Sequence, residues 1–164
     1  SPEIWGRGNG WIVVTLSDAL SILPKTNAHY TQFSGYLKEM LVPLPALQDK
    51  QSGHWYQLPV RKGETGNYIE SSCTAMFAYG IQHALDLGLV NGDSYNEAVK
   101  FAYRGLRENS IATVHDGYLT SKNVCKATCI GNKSYYFKRG TQKGKAYGLA
   151  SFIQFGRLFE RTKQ

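Results

Sequence analysis

The 164 residues predict an all-α protein of about five main helices joined by long loops. Apolar residues recur at helical spacing over five stretches, and proline or glycine stops the first three of them. Strand-type alternation is confined to residues 111–120, which carry the hairpin signal Asp116-Gly117. The length suffices for one domain with a real core.

The first helix is read over residues 10–23. Trp11, Ile12, Leu16, Leu20 and Leu23 give it an apolar face wide enough to pack on more than one side, and Pro24 ends it. The second covers residues 29–41, with Tyr30, Phe33, Leu37 and Leu41 in period; a short helical turn over 44–50 follows Pro43. Residues 51–68 read as a loop of a length that is usually functional in a compact domain, with Trp55 and Tyr56 divided between cleft and core. Residues 70–87 are the clearest helix; their many small side chains allow close contact, and Gly88 stops them. The fourth helix, 94–109, opens on Ser94 and Glu97 as a capping box. Residues 121–143 are polar and irregular around Tyr135-Tyr136-Phe137, and 144–161 form the last helix.

Net charge is +7 and the pI is near 9.3, a balance that favours anionic partners. The cations are scattered, with no Lys/Arg run longer than two, so a nucleic-acid partner lacks its basic stripe. No spanning stretch or signal peptide is visible, and no membrane partner is expected; the abrupt start leaves localisation open. Three cysteines argue against a disulfide scaffold. Cys73 reads as a buried thiol, whereas Cys125 and Cys129 pair only if the compartment oxidises. No metal-ligand spacing is present, and neither a metal nor a cofactor is predicted.

One stretch stands apart: Trp5-Gly6-Arg7-Gly8-Asn9-Gly10-Trp11. Glycine permits close backbone approach or a positive φ, indoles give flat faces for a sugar ring, and arginine gives a fork that matches a carboxylate. The residues together read as a pocket for something flat, ring-shaped and anionic. They equally fit a helix start with both indoles in the core.

Trp5 to Trp11 followed by an apolar helix resembles the signature of the unsaturated uronyl hydrolases, glycoside hydrolase families 88 and 105. The resemblance runs on in order. Gln51-Ser52-Gly53-His54-Trp55-Tyr56-Gln57 is similar to a later family segment, with His54 where the family has an apolar residue. The run from Asn67-Tyr68-Ile69-Glu70 through Cys73 to Gly80 resembles the family's next helix closely, and Gly88-Leu89, Tyr95, Tyr135-Tyr136 and the last helix follow. Residues 123–132 depart from it, lacking the glycine-rich form. The resemblance implies an (α/α)6 toroid of twelve helices in two rings, roughly 350 residues at about 30 per helix and connection. The chain is accordingly expected to be a single C-terminal half-barrel over residues 1–164, with the N-terminal half missing.

The implied substrate is an oligosaccharide with an unsaturated uronic acid at its non-reducing end, as polysaccharide lyases leave behind. The implied reaction is hydration of the C4=C5 vinyl ether: an aspartic acid protonates C4, water adds to C5, and the hemiketal falls apart. By the resemblance the catalytic aspartates precede Trp5, so none is expected here; Asp18, Asp49, Asp86, Asp93 and Asp116 match none of them. Trp5, Arg7 and Trp11 are implied to line the sugar subsite, with Asn9 a weaker candidate because capping would explain it too. Glu70 is expected to be a first-turn acid rather than a catalyst. Two rival classes stay in view, a non-catalytic carbohydrate-binding remnant and an ordinary two-carboxylate glycosidase using Glu70 and Asp116. Open barrel edges also imply a homo-dimer of the isolated chain.

Overall fold

The computed structural model describes residues 2–161. Its long helices are α1 (Gly6–Ile22), α2 (Tyr30–Leu41), α4 (Ser71–Asp86), α5 (Asp93–Asn109) and α7 (Ala146–Arg161), with short α3 (Leu44–Leu47) and α6 (Lys133–Phe137). Two small antiparallel pairs complete it: β1 (Ile111–Thr113) with β2 (Leu119–Ser121), and β3 (Val124–Cys125) with β4 (Thr141–Gln142).

The organising element is α4. Twelve of its sixteen residues are buried, and its small side chains let neighbours come in closely. Helix α1 runs parallel to it: Gly6 faces Cys73, Gly10 faces Met76, Val13 meets Gly80, and Ser21 reaches His83. A Cβ at position 80 would stand 2.1 Å from Val13 Cγ1, so this contact requires glycine. Helix α7 packs on the other side of α4. Helix α5 runs antiparallel to α4, bringing Ser110 at its end to Ser71 at the start of α4. Helices α1, α4 and α7 thus form an arc of one ring, with α2 and α5 outside it, and the ring helices α1, α4 and α7 begin at one rim.

Several local expectations change. Helix α1 starts at Gly6, not Gly10, so the glycine-rich stretch is itself helical. Helix α5 starts at Asp93 after an N-cap Gly92, and no Ser94–Glu97 capping box forms. The hairpin lies at Asp116-Gly117, both with positive φ (64° and 78°), but the β3–β4 pair is a second strand element. Trp55 is core: fully buried, its Nε1 donates to Leu44 O at 2.8 Å and its ring meets Phe77 edge-on. The three cysteines are free thiols, with Cys125 buried and Cys129 exposed. No helix among the described residues is long and apolar enough to cross a membrane.

Candidate functional site

The candidate site is the rim where the three inner helices begin. Trp5 is the N-cap of α1. Its ring folds back over Gly8, where a Cβ would stand 2.7 Å from it, and stacks on the buried Tyr136 of α6 with centroids 6.0 Å apart. Among the described residues the buried Trp5 indole N–H has no hydrogen-bond partner.

Arg7 follows two residues on and is 3% exposed. Nη1 donates to Cys125 O at 2.6 Å and Nη2 to Lys126 O at 2.9 Å. The guanidinium lies 4.5 Å from the Tyr147 ring centroid and 5.2 Å from that of Trp5, within cation–π range of both. Trp11 sits four residues beyond Arg7, hence on the same helix face, and is 43% exposed. The fold therefore sets Arg7 against Trp5, with Trp11 one turn further along the same face. Asn9, two residues from Arg7, lies on the opposite side of the helix. Asn9 lies inside the first turn, where its amide donates to Trp5 O, and it borders a cavity beside Ile4, Met40 and Pro43 on the flank toward α2 and α3. The capping role considered for it falls to no side chain at this helix end.

Glu70 is fully buried and is the N-cap of α4. Its carboxylate accepts from Cys73 N (2.7 Å), Ser72 N (3.3 Å), Ser72 Oγ (2.7 Å) and, across 55 residues, Cys125 N (2.8 Å). Arg7 Nη1 stands 3.8 Å away. A carboxylate at this place neutralises both the free N–H groups of the helix start and the buried guanidinium. Arg7, Glu70 and the 124–126 backbone thus lock α1, α4 and the β3 strand to one another. Sequence reading named Tyr136 only within the resemblance and Tyr147 not as a site residue, since neither tyrosine carries a local mark of what it will stack on. Tyr147 Oη donates to Cys125 O at 3.2 Å and accepts from Gln142. Burial pushes the Tyr68 hydroxyl and the Cys73 and Cys125 thiols up, keeping all three protonated at neutral pH.

Below the rim, His54 is buried in a hydrogen-bonded chain. Its Nδ1 donates to Ser52 O at 2.9 Å, so Nε2 accepts from Ser110 Oγ at 2.7 Å, and Ser71 Oγ donates to Ser110 Oγ at 2.7 Å. Burial lowers the His54 pKa below its ordinary 6.5. The unfolded chain then binds the proton first, so this contribution to stability is full above about pH 6.5 and is lost as pH falls toward the folded value. Urea midpoints between about pH 5 and 7.5 should fall with acid, and His54→Gln should flatten that dependence. An unchanged slope in the variant would rule His54 out as its source.

The family model for Glycosyl Hydrolase Family 88 matches residues 1–163. The chain belongs to this family. A 24.9 kDa protein in the picA locus of Rhizobium radiobacter is 32% identical over 144 residues, 86% of this chain and 61% of that protein. The unsaturated rhamnogalacturonyl hydrolase YesR of Bacillus subtilis (strain 168) is 32% identical over 149 residues, 89% of this chain and 39% of that enzyme. A family 105 glycoside hydrolase from C. acetobutylicum ATCC 824 matches with TM-score 0.88 at 29% identity, covering 98% of this chain and 46% of that one. The fold is that of the (α/α)6 toroid of families 88 and 105, of which this family 88 chain is a portion. It spans 61% or less of the length of each of these three relatives.

Proposed function

We propose that the toroid containing this family 88 chain removes an unsaturated uronic acid from the non-reducing end of an oligosaccharide by hydrating its C4=C5 bond, and that the chain supplies one wall of the substrate pocket. The observation that carries this is its 32% identity, over 89% of its residues, with an unsaturated rhamnogalacturonyl hydrolase. The rim supports the reading. The half-exposed Trp11 offers a face to a sugar ring, the Trp5 indole N–H is unmet among the described residues, and Arg7 holds the β3 backbone behind them. The acid that protonates C4 is assigned to helices outside these residues. At the rim Glu70 is committed to N–H groups, Glu3 to Arg61, and Glu64 to Arg61 and Lys133.

The test is incubation of the complete protein with a lyase-generated unsaturated disaccharide. Ultraviolet absorbance from the double bond should disappear, and the products should gain one water. Cleavage that keeps the double bond, or binding without turnover, would overturn the hydration reading.

The edges of the arc are apolar: Leu119, Leu149 and Ile153 on one side, Ile12 and Ile22 on the other. We propose that the remaining helices of the toroid cover them. The 164-residue chain by itself is therefore expected to self-associate, as a two-fold dimer in sedimentation velocity, and to show no turnover. A monodisperse monomer at high concentration would count against covered edges.

A further inference from the structure

His54 stands where the family resemblance calls for an apolar side chain, and the fold encloses it. It is fully buried. The 49–54 turn closes over one side: Asp49 N donates to His54 O, and Gly53 N donates to Asp49 O, both at 2.8 Å. Helix α5 closes the other side. A Cβ at position 105 would stand 2.0 Å from Ser52 O and 3.1 Å from His54 Nδ1. A proton added to this ring is therefore added inside the protein. Desolvation opposes the cation. It outweighs the Ser52 bond and the two ionised groups that favour the charge, Glu70 at the head of α4 and Asp49 in the turn. Helix α5 sets only the uncharged Gly105 and Ser110 against the ring.

The hydrogen-bond chain through the ring fits one charge state. With the ring neutral, Nδ1–H serves Ser52 O, Nε2 takes the Ser110 hydrogen, and Ser110 Oγ takes the Ser71 hydrogen. In the imidazolium Nε2 is a donor as well. Ser110 Oγ then faces two donors, and however the chain is rearranged, one serine hydrogen is left without an acceptor among these groups. A buried charge and a buried unmet hydrogen are both costly.

The chain ends at the site. Ser71 opens α4 beside Glu70, and its N–H donates to Asn123 O, two residues before Cys125. Ser110 O accepts from Lys122 N. On the other side of His54, Trp55 O accepts from Glu70 N at 2.9 Å and Gln57 O from Gly6 N at 2.8 Å. One ring thus sits behind the heads of α1 and α4 and the approach to β3, the three segments that Arg7 and Glu70 tie together.

We infer that neutral His54 is a positioning residue for the rim, acting through Ser110 and Ser71, and that its protonation switches the site off reversibly while the fold stands. This rests on the hydration reading only for the reaction that is followed, and the experiment separates the two. The complete protein is assayed on a lyase-generated unsaturated disaccharide between about pH 4.5 and 7.5, a range that spans the titration of a histidine. Two variants run beside it. His54→Leu/Ser110→Ala replaces the polar contact by an apolar one, and His54→Gln keeps a hydrogen-bonding side chain that does not titrate. The ratio of variant to wild-type kcat/KM should be constant above about pH 6.5 and rise below it, approaching about tenfold per pH unit once the folded ring titrates. Over the same range the far-ultraviolet circular dichroism of the wild type should hold, and its activity should return at neutral pH. Either variant suffices if the other fails to fold. A ratio that stays flat with pH overturns the proposal. So does wild-type activity that falls only together with the dichroism, since that is global unfolding. A protein that turns over nothing at any pH refutes the hydration reading instead, and amide exchange then decides His54 by itself. After correction for the intrinsic effect of pH on exchange, protection of the Gly6, Cys73 and Cys125 amides should drop on acidification in the wild type and hold in the variants. Protection that changes equally in all three proteins, or in none, refutes the switch.

Discussion

Glu70→Ala is expected to cost roughly 3–5 kcal/mol of folding stability, the usual penalty for removing one partner of a buried ion pair. The carboxylate is fully buried, and it holds the first amides of α4 and the amide of Cys125 at once. Its loss leaves those N–H groups without acceptors and the 3% exposed Arg7 without its counter-charge. Urea denaturation reads the effect as a fall in the midpoint. Glu70→Gln should fall between, because one amide oxygen remains as an acceptor while its NH2 faces donors. A wild-type midpoint in Glu70→Ala would show that the rim is not held by this carboxylate.

Arg7→Lys is expected to lower kcat/KM in the complete enzyme by about 30- to 150-fold, or 2–3 kcal/mol, as a point charge replaces a planar fork. An ammonium cannot serve Cys125 O and Lys126 O together in the fork's geometry, and it gives up the flat face between Tyr147 and Trp5. The strand that borders the site and the indole that walls it both lose their reference. The loss should appear mainly in kcat if Arg7 holds the wall for the transition state, and mainly in KM if it only aids ground-state binding. An unchanged kcat/KM would remove Arg7 from the site.

The two variants probe one cluster that the sequence presented as two unrelated residues. Arg7 and Glu70 are 63 positions apart, and their shared partner, Cys125, is 55 beyond Glu70. The signature around Trp5 pointed to the right family because its residues are adjacent in the chain and resemble a known pattern. It misled on the glycines, which sequence reading assigned to ligand approach or positive φ. In the fold Gly6 and Gly10 are helical and seat α1 on Cys73 and Met76, and Gly8 makes room for the Trp5 ring.

By itself the sequence determined the helical class, the extent of α2 and α4 to within a residue or two, and the Asp116-Gly117 turn. Those features are set by periodicity, stop residues and turn chemistry, which act over a few neighbours. Only the tertiary structure decided that α1 begins at Gly6, where helix propensity alone disfavours three glycines in five residues. It alone sank Trp55 and His54 into the core and turned Asn9 away from Arg7. Each of these rests on contacts between chain segments tens of residues apart, where the gain from packing outweighs local preference and leaves no local pattern to read.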